Sequence, residues 1–400
     1  MRPRVLNIDS VESVREALKM MRVSPEGIDI MSPKGIYRLV KITGIDCRAA
    51  NIIKQEMLAR GGEAAAPYEL YMLDARKIDM ILMGTAKQFE ALLDKLSRQP
   101  FGLTALAQDI KKTLESYTKK PPTLQAGRFA LELASRTHIM GILNITPDSF
   151  SDGGRYFSLE DALAQAKRMV SEGADIIDVG GESTRPGAAE VGLDEELKRV
   201  VPLIERLSAE LDVPISIDTY KPEVARSALD AGASLINDIS GLRDGAMIEL
   251  AVERNVPVVI MHMKGTPKDM QQDPVYGDVV AEVIDWLDGQ ARQAMAAGVA
   301  EHNIIVDPGI GFGKTLEHNL ELLRRLSEFK SLGFPILLGT SRKAFIGKIL
   351  DAPAEERLEG TLATIAYAIT KGAGIVRVHD VKEARRAVAV VDAIAGGAGS

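Results

Sequence analysis

The chain has 400 residues, 46% of them apolar, which is enough material for a barrel of about 250 residues plus a smaller domain. A formal net charge of -7 argues against a general nucleic-acid binder, which would carry a basic face. No apolar run approaches the roughly 18 residues that span a bilayer, Met1 to Asn7 lacks the apolar stretch of a signal peptide, and the single Cys47 excludes an intrachain disulfide, so the expected location is the cytoplasm.

Residues 1–120 mix the apolar run Ile78 to Met83 with helical stretches Ala49 to Arg60 and Ala86 to Leu96. Gly61-Gly62 separates two of these elements as a turn would. The reading is a small α/β domain without a functional motif. Thr118 to Thr123 carries two lysines and two prolines, and proline pairs stop helices and stiffen a chain, so 121–135 is expected to be a linker.

From residue 136 to the end the pattern alternates. Short apolar runs at 139–143, 175–179, 214–217, 234–236, 257–261, 303–306, 335–339 and 375–378 read as buried parallel strands. Between them lie amphipathic helical segments at 159–172, 194–211, 222–231, 245–254, 278–297, 316–328, 357–371 and 381–394. Eight βα units favour closure, and the fold class is α/β: a (β/α)8 TIM barrel preceded by the small N-terminal α/β domain. In such barrels the active site is built from the C-terminal ends of the strands.

Polar motifs stand at each of those ends. Asn144 closes the first strand and supplies a neutral oxygen suited to a Mg²⁺ that keeps phosphate oxygens and waters as its other ligands. The turn-rich stretch Thr146 to Gly154 reads as a lid that carries Asp148, Ser149, Phe150, Ser151 and Asp152 over a ligand. In the second loop Arg185, beside Thr184 and Pro186, pairs either with an anionic ligand or with an acidic neighbour. Asp218, Asn237 and Asp307 end the third, fourth and sixth strands, and such side chains suit a planar, amide-rich heterocycle. The sharp competing reading is metal coordination, weakened by the lack of a His-x-His or carboxylate-His spacing. Asp307 to Lys314 resembles a phosphate loop only superficially and reads as a pocket wall, with Phe312 free to stack on a ring. Arg377 and His379 end the eighth strand, where barrels commonly hold phosphate. His262 follows the fifth strand and reads as a satisfied core or wall histidine.

In order and spacing these motifs resemble those of the dihydropteroate synthases, which join 6-hydroxymethyl-7,8-dihydropterin diphosphate to 4-aminobenzoate and release diphosphate. The resemblance runs over residues 136–394, and the first 120 residues resemble extensions carried by some bacterial members. It implies that Asp218, Asn237, Asp307 and Lys343 hold the pterin, with Phe312 and Met261 packed nearby. It implies that Asn144, Arg377 and His379 hold the diphosphate with Mg²⁺, and that Thr184, Arg185, Pro186 and Ser341 lie near the aminobenzoate. Asp218, Asp307, Lys343, Arg377 and His379 are then the catalytic set, in a homodimer paired through barrel helices. Two rivals share the ring site: a methyltransferase acting on a methylfolate, and a non-catalytic folate-binding module. The methyltransferase has no diphosphate to bind, so the Asn144 loop and the Arg377/His379 pair argue against it, and complete anion and ring sites argue against the non-catalytic module.

Overall fold

The computed structural model describes residues 2–72, 77–145, 159–183 and 191–396, and it divides into two compact units, 1–118 and 119–400. In the first unit α1 (Val11–Met20) and α2 (Pro25–Met31) precede β1 (Tyr37–Asp46), α3 (Cys47–Leu58), β2 (Glu63–Ala65), α4 (Glu69–Met72), β3 (Lys77–Thr85), α5 (Ala86–Leu96) and α6 (Leu103–Thr118). The strands form an antiparallel sheet in the order β1-β3-β2. Ile78, Met80 and Leu82 alternate with exposed Lys77 and Asp79, the period-2 pattern of a sheet with one covered face. Their partners in the core are Ile53 and Met57 of α3, Phe89, Leu92 and Leu96 of α5, and Leu103 of α6. This is the small α/β domain expected from the sequence.

The second unit opens with a hairpin, β4 (Thr123–Ala126) against β5 (Phe129–Glu132). The expectation of a linker over 121–135 is corrected here, and the boundary moves to 118/119. Leu124, Leu131 and Leu133 are buried against Met140, Ile176, Leu235, Val259, Ile305, Leu337 and Ile375, which stand on barrel strands. The two prolines misdirected the reading, because the alternation of Leu124, Ala126, Leu131 and Leu133 is too short to stand out and gains its burial only from the barrel.

The barrel then follows as β6 (His138–Asn144), α7 (Leu159–Ser171), β7 (Ile176–Gly180), α8 (Leu193–Glu210), β8 (Ile215–Asp218), α9 (Pro222–Asp230), β9 (Leu235–Asp238), α10 (Gly245–Arg254), β10 (Val258–Met261), α11 (Val279–Ala297), β11 (Ile304–Asp307), α12 (Leu316–Arg324), β12 (Ile336–Leu338), α13 (Ala344–Leu350), α14 (Leu358–Thr370), β13 (Ala373–Val378) and α15 (Val381–Ala395). The eight strands close as a parallel barrel in sequence order, and β13 pairs with β6 through Ile375 and His138 at one end and Val378 and Gly141 at the other. Valine and isoleucine dominate the strands, as burial on both faces requires. Local signals set the helix starts: Asp278 accepts from Val280 N and Ala281 N ahead of α11, and Thr315 and His318 cap α12 reciprocally. The run expected as one helix over 316–328 ends its α-helical part at Arg324 and continues at 326–332 as a tighter 3-10 turn. Between β12 and β13 the chain adds α13 to the helix expected at 357–371.

Candidate functional site

Ten of the residues singled out above line one cavity of about 680 Å³ at the C-terminal ends of the strands: Asn144, Asp218, Asn237, Met261 and Asp307, then Phe312, Ser341, Lys343, Arg377 and His379. That volume suits a small-molecule ligand. Phe150 and Asp152, with the rest of the lid reading Asp148, Ser149 and Ser151, lie outside the described residues, as do Thr184, Arg185 and Pro186.

The floor is a buried polar network. The Arg377 guanidinium spans two carboxylates, with Nε 2.6 Å from Asp178 Oδ2 and Nη2 2.6 Å from Asp218 Oδ2. Asn237 Nδ2 donates to Asp178 Oδ2 at 3.0 Å. Parallel pairing places these ends side by side, since Gly180 is in register with Asp218 and Asp218 with Asn237. Asp178 was missed by the sequence reading. It is 0% exposed in the middle of β7, and the one signal for it was a carboxylate interrupting an apolar strand. Arg377 and Asn237 both meet its Oδ2, which offsets the cost of burying it. Asp307 Oδ1 accepts from the Gly309 N–H at 2.7 Å. Burial pushes the Asp218 carboxyl up to about 7 against the pull of Arg377, and pushes Asp307 up to about 6 against the Gly309 N–H and Lys343. Burial also lowers the Lys343 ammonium to about 8, against the attraction of Asp307.

One wall is apolar. Met261 and Phe312 pack with Ile239, Met263 and Met270. The Lys343 ammonium stands 3.9 Å from the centre of the Phe312 ring, a cation–π contact that presents nitrogen and ring together at the cavity. The loop bearing Phe312 needs glycine at 309: its φ is 68°, and a Cβ there would overlap the His262 carbonyl oxygen. His262 is buried behind that loop, bonded to Lys314, which is the core alternative of its two expected roles.

The rim joins the last two loops. Ser341 Oγ lies 3.0 Å from His379 Nδ1 and accepts from the His379 N–H at 3.2 Å. Arg342, at φ 57°, donates through Nε to Asp380 at 3.0 Å. On the other side Lys221 pins both flanks of the second loop: its ammonium bonds Glu182 at 2.6 Å, the Val191 carbonyl at 2.7 Å and buried Glu196 at 2.6 Å.

Among the described residues no three His, Cys, Asp or Glu side chains gather as a metal site. Asn144 Oδ1 and Asp218 Oδ2 stand 3.2 and 3.7 Å from where a Cβ on Gly180 would lie. One amide oxygen beside a carboxylate fits a hard cation that draws most of its oxygens from a ligand and water.

A family model described as "Pterin binding enzyme" matches residues 140–379. A dihydropteroate synthase of Synechocystis is 52% identical over 276 residues, covering 68% of this chain and 96% of that protein. A probable bifunctional folylpolyglutamate synthase/dihydropteroate synthase of Halobacterium salinarum is 45% identical over 392 residues, so the match includes most of the first unit; it covers 98% of this chain, which spans 47% of that longer protein. A solved dihydropteroate synthase from Xanthomonas albilineans in complex with 7,8-dihydropteroate superposes with a TM-score of 0.63 at 42% identity, over 68% of this chain and 99% of that one.

Proposed function

This chain belongs to the dihydropteroate synthases of the pterin-binding enzyme family, and on that premise we propose how its barrel mouth carries out their condensation. The reaction joins the methylene carbon of a dihydropterin diphosphate to the arylamine nitrogen of 4-aminobenzoate and releases diphosphate. The observation that carries the assignment of residues is the floor: buried carboxylates, an amide and the Arg377 guanidinium line one cavity together with the Lys343 ammonium beside Phe312.

The pterin ring lies on that floor. Asp218 and Asp307 accept from ring N–H and exocyclic amino groups, Asn237 both donates and accepts, and Lys343 donates to a ring acceptor. Phe312 and Met261 pack against the ring face. Arg377 and His379 reach the diphosphate from β13, with Ser341 holding the His379 ring. Asn144 would hold Mg²⁺ together with diphosphate oxygens and water, and the cation would offset charge developing on the leaving group. The carbon–oxygen bond breaks with its electron pair leaving on the diphosphate, and Asp218 and Asp307 stabilise the positive charge left on the ring. The arylamine lone pair then forms the carbon–nitrogen bond, and the nitrogen loses a proton. Ser341, with Thr184, Arg185 and Pro186, is assigned to the aminobenzoate.

A cytoplasmic location is part of the proposal; separately, no helix among the described residues is long and apolar enough to cross a membrane. A homodimer through the barrel helices is supported by exposed Tyr367 on α14 and by Val390 and Ile394 on α15.

The test is diphosphate release from 6-hydroxymethyl-7,8-dihydropterin diphosphate. Release that requires both 4-aminobenzoate and Mg²⁺, and stops when the metal is chelated, is the expected result. Ring binding without release would transfer the assignment to a methylfolate methyltransferase or a non-catalytic folate module.

A further inference from the structure

The reading of the barrel mouth leaves one buried cation without a task. Lys314 closes the loop that follows β11, borders the cavity and is only 3% exposed. Its ammonium donates to the Phe312 carbonyl at 2.9 Å and lies 3.0 Å from His262 Nδ1 and 3.4 Å from the His262 carbonyl. Burial, and after it the ammonium itself, lowers the His262 ring to about 2, so the imidazole stays neutral and Nδ1 can accept. Further contacts fix the frame. Trp286 stands edge-on to the His262 ring at 5.1 Å, Tyr276 OH donates to the Gly313 carbonyl at 2.8 Å, and Gly311 N donates to Asn319 Oδ1 at 2.7 Å. A plain staple could be a neutral side chain, whereas here burial lowers the Lys314 ammonium to about 7 against the attraction of Asp307. Phe312, the residue it grips, touches the Lys343 ammonium.

We propose that Lys314 is a positioning residue of the pterin subsite: it holds the Phe312 backbone against His262, and thereby sets the Phe312 ring and the Lys343 ammonium where the pterin ring meets them. The inference rests on the pterin reading of this cavity. Both loops it joins line the ring side, so its influence falls on the pterin and spares the aminobenzoate. Lys314 borders the cavity, but its hydrogen bonds run to His262 and to the Phe312 carbonyl, and through them it acts on Phe312.

The experiment compares the full chain with Lys314→Met and Lys314→Gln. Binding of 6-hydroxymethylpterin, which lacks the diphosphate, is followed by titration calorimetry, and KM is measured for both substrates. In variants with a cooperative melt the expected result is pterin affinity weakened by about tenfold and a matching rise in the pterin diphosphate KM, with the 4-aminobenzoate KM within about twofold. Emission of Trp286, the single tryptophan, should shift with the loss of the His262 contact. In a Phe312→Leu background the Lys314 substitution should cost little more, because the two act as one unit. Unchanged pterin affinity, or equal changes in both KM values, would overturn the proposal. Failure of both variants to fold would overturn it too, by assigning Lys314 to stability alone. If the unsubstituted protein does not bind the pterin, it is the reading of the cavity that fails instead.

Discussion

Asp178 and Lys314 each depend on a partner far away in the chain, Arg377 lying 199 residues from Asp178 and His262 lying 52 from Lys314. The same partnership separates two substitutions that the sequence treats alike. Lys343→Ala should lower kcat/KM for pterin diphosphate by at least about tenfold, some 1.4 kcal/mol of transition-state binding, and leave the melting temperature nearly unchanged. Arg377→Ala strands two buried carboxylates, so it should also cost about 3 kcal/mol of stability. Parallel melting curves and kinetics check both, and equal melting temperatures would contradict the network. The floor also sets a pH dependence. Carboxyls raised to about 7 at Asp218 and about 6 at Asp307 are protonated below those values and then accept poorly from ring N–H groups. The value of kcat/KM should therefore rise with pH through 6 to 7, and fall again above about 8 as Lys343 loses its charge. A flat profile across this range would remove the carboxyls from the mechanism. Asp218, Asn237 and Asp307 were legible in the sequence because they stand at strand ends, where barrel chemistry gathers, whereas Asp178 and Lys314 were not, because their partners lie far away in the chain.

At the scale of elements, the eight strands were read within a residue or two, because a buried parallel strand is a short, dense apolar run. The hairpin β4–β5 escaped because its four-residue strands bury little against each other and gain their burial from the barrel floor. It therefore counts as part of the barrel. Leu124→Ala should destabilise the barrel by about 2–4 kcal/mol through the cavity it leaves, while turnover well below the melting temperature stays close to that of the unsubstituted chain. A melting curve with no shift would show that the hairpin merely covers the floor. For the same reason a barrel cut at Leu133 should melt lower than one that begins at Lys119.

For the whole molecule, every described residue assigned to substrate lies in the second unit, 119–400. A polypeptide spanning 119–400 that melts cooperatively should keep turnover within about threefold of the full chain, as expected when a barrel builds its site from its own strand ends. A hundredfold loss in a folded barrel would bring the first unit into the chemistry. The hairpin has one more consequence. With Leu124 and Leu131 sealing the far end, the mouth serves as both entrance and exit. With the pterin on the floor and 4-aminobenzoate above it, as proposed, traffic through that door would have to queue, the lower reactant arriving first and the upper one barring its return. A mimic of 4-aminobenzoate should then compete with 4-aminobenzoate yet act as an uncompetitive inhibitor against the pterin diphosphate, because it lodges only after the lower berth is filled.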